Sequence, residues 1–308
     1  MNDSAPSPLT LPRALQPGDT LGVVAPAGPF DRESFNAGVA ALQTMGFRLV
    51  VEDPIFQKQG YLAGPDQERA ALVNRLFADP DIDGIICARG GYGAMRILPL
   101  LDAALISGNP KVFVGFSDIT VLLNFLVDHC HLVAFHGPTV TTLGNGDPST
   151  RSRFLAALTQ SEAITLAAVD HDVIQPGSAH GPLRCGNLTL LCHLTGTPYQ
   201  PDFNGCILLI EDRGEAPYRV DRMLTQMLLA GCMDGLAGLA LGSFTDCGSA
   251  KAIRQIVADR LGELDIPILT GFEVGHGTIN TTLPVGLWAH LDTHSRMLTV
   301  CGPAVRER

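Results

Sequence analysis

The chain has 308 residues, 46% of them hydrophobic and 17% charged, a composition that excludes an intrinsically disordered protein and leaves room for two ordinary domains. With 31 acidic against 21 basic residues the formal charge is -10, which argues against a nucleic acid or an anionic membrane surface as partner and favours a small or cationic ligand. The opening segment, Met1 to Pro8, has no basic stretch followed by an apolar one, and no later run is long and apolar enough to span a bilayer, so a cytoplasmic protein is expected. The eight cysteines, Cys87, Cys130, Cys185, Cys192, Cys206, Cys232, Cys247 and Cys301, are scattered without a C-x-x-C pair and read as reduced thiols.

In chain order, residues 19–25 read as a strand closed by Pro26-Ala27-Gly28-Pro29, residues 32–45 as a helix and 47–51 as a second strand. Residues 66–77 are again helical. The continuous apolar run 84–88 leads into Arg89-Gly90-Gly91-Tyr92-Gly93-Ala94, followed by a helix to about Leu101. Apolar strands alternating with helices predict a parallel sheet covered on both faces, with ligands at the carboxyl ends of the strands. The glycines at 90, 91 and 93 suit either a tight strand-to-helix turn or a loop whose N–H groups approach a negative charge. Neither G-x-G-x-x-G nor a P-loop is present, so a nucleotide cofactor is not indicated.

The next strand, 112–115, stops at Gly115, and helical periodicity starts just after Ser117. The Ser117 hydroxyl therefore falls in a strand-to-helix turn, where free N–H groups and the positive end of the helix dipole can stabilise an oxyanion. A plain helix cap by Ser117 or Asp118 explains the same residues. His129 and His131 would share one side of an extended segment at a spacing that could bind metal, but no third ligand follows at a recognisable spacing. His136-Gly137-Pro138 ends the next apolar run.

From about 144 to 182 the composition becomes Gly-, Asn-, Pro- and Ser-rich around one helical pattern at 151–158, which predicts an N-terminal domain over 1–145, an interdomain linker over 146–182 and a second domain over 183–308. In that second domain, 206–212 reads as a buried strand ending in Glu211 and Asp212, an unfavourable place for an unpaired carboxylate. Helices follow at 218–229 and 251–261, strands at 238–244 and 267–272, and then a loop that carries His276 between two glycines. Residues 283–292 and 297–300 read as closing strands of this β-rich domain.

Ser117, Glu211 and His276 thus stand at three element ends and supply the parts of a Ser-His-acid triad. Their order matches that of α/β-hydrolases, but Gly115-Phe116-Ser117-Asp118-Ile119 is not G-x-S-x-G, which disfavours that fold.

The chain resembles the murein tetrapeptide LD-carboxypeptidases of the serine-peptidase S66 group, which also contains the microcin C self-immunity proteins. The resemblance runs from about Gly18 to Asp292. It is carried by Val23-Val24-Ala25-Pro26-Ala27-Gly28, Ala88 to Gly93, Gly115 to Asp118, His136-Gly137-Pro138, Gly186-Asn187-Leu188, Glu211 to Met223 and Gly275-His276-Gly277. It implies an α/β fold in which an N-terminal parallel-sheet domain like that of class I glutamine amidotransferases joins a C-terminal β-rich α/β domain, with the active site between them and a homodimer as the assembly. Ser117 is implied as nucleophile, His276 as general acid and base, Glu211 as its orienting partner, and the N–H groups of Gly91 and Asp118 as the oxyanion hole. Arg89 and Asn187 are candidates for binding substrate.

The implied reaction is hydrolysis of the bond between the L-centre of a diamino acid and terminal D-alanine in a cytoplasmic murein tetrapeptide, needing no metal or organic cofactor. Three alternatives are a microcin-type hydrolase of peptidyl or aminoacyl adenylates, a non-catalytic binding protein of the same shape, and a glutaminase using Cys87. The first calls for an aromatic platform in the second domain, where the chain has one tryptophan, Trp288. Against the third, Cys87 lies inside an apolar strand.

Overall fold

The computed structural model describes residues 9–169 and 172–307, so Met1 to Pro8, the segment read above for its lack of a targeting pattern, lies outside it. Its first half alternates strands and helices: β1 (Thr20–Val24), α1 (Arg32–Thr44), β2 (Arg48–Val50), α2 (Asp66–Ala78), β3 (Gly84–Cys87), α3 (Ala94–Ile97), α4 (Ala103–Gly108), β4 (Val112–Gly115), α5 (Thr120–Cys130) and β5 (Ala134–His136). Every residue of β1, β3, β4 and β5 is buried, as expected of strands packed on both faces. These strands pair in parallel in the order β5-β4-β3-β1-β2. The carboxyl ends of β3 and β4 therefore lie side by side, which brings the glycine loop next to Ser117.

Two short helices follow, α6 (Val140–Gly144) and α7 (Pro148–Thr159). The stretch read as a linker continues with β6 (Thr165–Ala167) and β7 (Val173–Gln175), and β8 begins at Ser178 and runs to Asn187. Residues 146–182 thus contribute a helix whose Phe154 and Leu158 are wholly buried, together with both edge strands of the second sheet. The remaining elements are α8 (Leu188–Leu194), β9 (Ile207–Arg213), α9 (Pro217–Leu229), β10 (Gly238–Thr245), α10 (Ala250–Leu261), β11 (Ile268–Thr270), β12 (Leu283–Val285), β13 (Trp288–Asp292) and β14 (Met297–Val300). The second sheet has the order β6-β14-β13-β8-β9-β10-β11-β7, with a parallel centre, β8 to β11, flanked by antiparallel strands. On α9, Val220, Met223, Leu224 and Met227 are buried at helical spacing, the stripe that holds this helix on the sheet.

One strand departs from the sequence reading. β12, expected among the closing strands of the second domain, pairs antiparallel with β5 and forms the edge of the first sheet, with Leu283 opposite His136. The chain thus returns to the first sheet immediately after the His276 loop and then crosses back into β13. One buried cluster runs from the first sheet into the second through residues such as Phe135, Leu183, Leu209 and Leu283.

His129 and His131 do not form the extended pair considered for metal. His129 lies in the last turn of α5, its ring stacked on Phe125 with centroids 5.1 Å apart, and His131 is the left-handed residue that ends the helix. Among the described residues no helix is long and apolar enough to cross a membrane. Seven of the cysteines are buried and Cys301 is exposed, all with free thiols.

Candidate active site

The position expected for the nucleophile is built by the junction of β4 and α5. Ser117 opens a single 3-10 turn, Ser117–Ile119, and its backbone has φ 65°, a left-handed conformation that side-chain-bearing residues rarely adopt. This turn lifts the hydroxyl off the end of β4. The Asp118 carboxylate points inward and accepts the N–H of Ala94 at 2.7 Å, which fixes the start of α3 and with it the glycine loop. Burial raises the Asp118 carboxyl above its ordinary value, opposed by that N–H and by the charge of Arg69. Arg69, 4% exposed, donates to the carbonyls of Gly64, Pro26 and Gly93 and so ties together three loops around the site. Sequence reasoning missed it because an arginine inside an amphipathic helix has no distinctive local pattern.

Glu211 and His276 come from the second sheet. Glu211, on β9, is 0% exposed. Its Oε2 faces His276 Nδ1 at 2.6 Å and also accepts the His276 main-chain N–H at 3.1 Å. A carboxylate at Nδ1 keeps the proton there and leaves the Nε2 lone pair free. His276 Nε2 is 3.2 Å from Ser117 Oγ, across 159 residues of sequence. The three residues singled out in the sequence therefore meet in one hydrogen-bonded line between the two sheets. Phe116 covers the imidazole, with ring centroids 4.8 Å apart.

Asn187 is hydrogen-bonded to the acid end of this line. At 4% exposure it donates through Nδ2 to Glu211 Oε1 at 3.3 Å and to Asp212 Oδ1 at 2.9 Å, while its main-chain N–H reaches Thr120 Oγ1 at 2.9 Å. Its side-chain amide thus bridges two adjacent buried carboxylates, and its main-chain N–H joins β8 to the first turn of α5. Burial raises the Asp212 carboxyl, against the hydrogen bonds from Thr189, the Arg213 N–H and Asn187.

Two glycines are needed for these close approaches. A Cβ on Gly90 would lie 2.9 Å from Ser117 Cβ, and one on Gly275, where φ is +101°, would lie 2.3 Å from Glu211 Oε2. Gly91, with φ +110°, packs instead on the backbone of Gly28. Arg89 is exposed at the end of β3, and its Nη1 donates to the Pro29 carbonyl at 2.6 Å. A cavity of about 350 Å³ opens over Ser117 and His276, bordered by Arg89, Gly91, Asn187 and Arg213. Trp288 is 60% exposed on β13 and does not line it. Cys87 is wholly buried in β3, and burial pushes its thiol well above the ordinary value, which suits an inert thiol rather than a nucleophile.

Comparison with known proteins identifies the family. Residues 21–137 match the family model described as the LD-carboxypeptidase N-terminal domain, and residues 180–291 match that of the LD-carboxypeptidase C-terminal domain. The chain is 34% identical over 288 residues to the murein tetrapeptide carboxypeptidase of Pseudomonas aeruginosa, covering 88% of this chain and 92% of that protein. Among solved structures, muramoyltetrapeptide carboxypeptidase from Oxalobacter formigenes superposes with a TM-score of 0.81 at 30% identity, covering 92% of this chain and 98% of that one. An MccF-like protein from Bacillus anthracis superposes with a TM-score of 0.88 at 25% identity, covering 95% and 99%. With both domain models matched in order and relatives aligned over nearly their whole length, the chain belongs to the LD-carboxypeptidase family, peptidase family S66.

Proposed function

We propose that this protein is a serine-type LD-carboxypeptidase that releases terminal D-alanine from cytoplasmic murein tetrapeptides, within peptidoglycan recycling. The observation that carries this reading is the line from buried Glu211 through His276 to Ser117, with Nε2 3.2 Å from Oγ in a cavity between the sheets. His276 takes the Ser117 proton as Oγ attacks the carbonyl carbon of the diamino acid, and Glu211 stabilises the imidazolium. The main-chain N–H groups of Gly91 and Asp118 receive the oxyanion. Collapse breaks the C–N bond, and His276 returns the proton to the leaving amine of D-alanine. A water deprotonated by His276 then attacks the ester, freeing the tripeptide and restoring the Ser117 hydroxyl.

Asn187 acts in this scheme by holding Glu211. The mechanism draws on side chains and backbone N–H groups alone. Mass spectrometry of a murein tetrapeptide incubated with the protein tests the reading: loss of one D-alanine is expected, and an intact tetrapeptide beside a hydrolysed aminoacyl adenylate would move the assignment to the microcin-immunity branch.

A further inference from the structure

Two guanidinium groups border the cavity over Ser117, and among the described residues no aspartate or glutamate lines it. In a chain of formal charge -10, a cationic recess free of acids selects an anion. The two arginines are not equivalent. Arg89 is held by the Pro29 carbonyl at the end of β3. Arg213 stands two residues beyond Glu211 on β9, and strand alternation sends both side chains to the same face. Glu211 is wholly buried against His276, whereas the Arg213 side chain is largely exposed. It lines the cavity over Ser117 and also the adjoining cavity of about 680 Å³, and His276 borders both.

The backbone under Arg213 is fixed, with its N–H on Asp212 Oδ1 at 2.8 Å and the next N–H, from Gly214, on the Thr245 carbonyl at 2.9 Å. Its guanidinium faces Asp246 at 3.7 Å, with the two side chains 61% and 69% exposed. So solvated a pair contributes little and exchanges readily for another carboxylate. In an exopeptidase substrate the terminal carboxylate lies about one residue, ~3.8 Å, beyond the scissile bond. A guanidinium just past the general base is placed to receive it, and its planar fork matches a carboxylate through two hydrogen bonds.

We infer that Arg213 binds the C-terminal carboxylate of the peptide substrate and so restricts the enzyme to terminal residues; this rests on the carboxypeptidase reading of the site. The test is calorimetric titration of Ser117→Ala protein with a murein tetrapeptide and with its C-terminal amide. The free acid should bind at least about tenfold more tightly than the amide. Adding Arg213→Ala should abolish that preference, and Arg213→Lys should keep part of it. A preference that survives Arg213→Ala, that disappears with Arg89→Ala instead, or that is absent from the start would overturn the inference. D-alanine release by the unmodified enzyme is measured in parallel. Release without an Arg213-dependent preference removes the arginine alone, whereas the preference without release removes the proposed reaction and leaves the arginine as an anion site.

Discussion

Ser117 has φ 65°, so the proposed nucleophile occupies a backbone conformation that costs an L-residue roughly 1 kcal/mol and glycine almost nothing. Ser117→Ala and Ser117→Gly should both stop turnover. Strain relief and glycine's greater unfolded-state freedom oppose each other, so Ser117→Gly should equal or exceed Ser117→Ala in stability, by up to about 1 kcal/mol. Thermal unfolding of the two variants measures the difference, and a markedly weaker glycine variant would argue against strain at this turn. Asn187 offers a second test at this scale. Its amide donates to both Glu211 and Asp212, so Asn187→Ala leaves two buried carboxylates short of a donor and should cost about 1–3 kcal/mol of stability. If the residue positions Glu211 rather than touching substrate, kcat should fall with KM little changed, and Asn187→Asp should be worse than alanine because it adds a third carboxylate.

The strand β5 carries His136, which is 0% exposed and, among the described residues, has no hydrogen-bond partner at either ring nitrogen. Burial, with a smaller effect of His276, moves its pKa from the ordinary 6.5 down to about 3. Below about pH 6.5 the unfolded chain takes up a proton that buried His136 refuses. Its stabilising contribution is therefore complete above that pH and lost as pH falls toward about 3, at up to about 1.4 kcal/mol per pH unit. Denaturant unfolding across this window should show a shallower pH slope for His136→Gln than for the native protein, and identical slopes would contradict the assignment. At the level of elements, the parallel core was readable because 84–88 and 112–115 are short, wholly apolar runs bounded by glycine, and the places of Ser117 and Glu211 because each stands at or just past the end of such a run. The strands of 165–167 and 173–175 were not readable, and 283–285 was readable as a strand but not as a member of the first sheet. The first two have three residues each, too few for alternation to register, and each exists only through pairing with a distant partner. The helical setting of His129 and His131 was not readable because nine of the eleven residues of α5 are buried, which blurs the amphipathic period and hides where the helix ends.

Across the whole molecule, the line from Glu211 through His276 to Ser117 joins two sheets, and its geometry depends on what holds the His276 loop against the first sheet. Three ties do so. β12 pairs with β5, Arg153 bonds Glu273 and Thr281 at 2.7 Å each, and the Asn280 N–H reaches Thr150 Oγ1 at 3.1 Å while its Oδ1 accepts the Gly275 N–H at 2.9 Å. The Arg153 pair with Glu273 is partly solvated and contributes little by itself, so the buried Thr150 to Asn280 link is the sharper probe. Thr150→Val keeps the volume and removes the acceptor. It should cost about 1 kcal/mol and lower kcat more than it raises KM, as expected if it loosens His276 relative to Ser117 without touching substrate. The claim on which everything else rests is that Ser117 is the nucleophile activated by His276. Labelling with a fluorophosphonate, followed by peptide mapping, tests it most directly: the native protein should carry one adduct, on Ser117, and His276→Ala should carry almost none. An adduct elsewhere, or labelling of Ser117 undiminished by His276→Ala, would contradict the account.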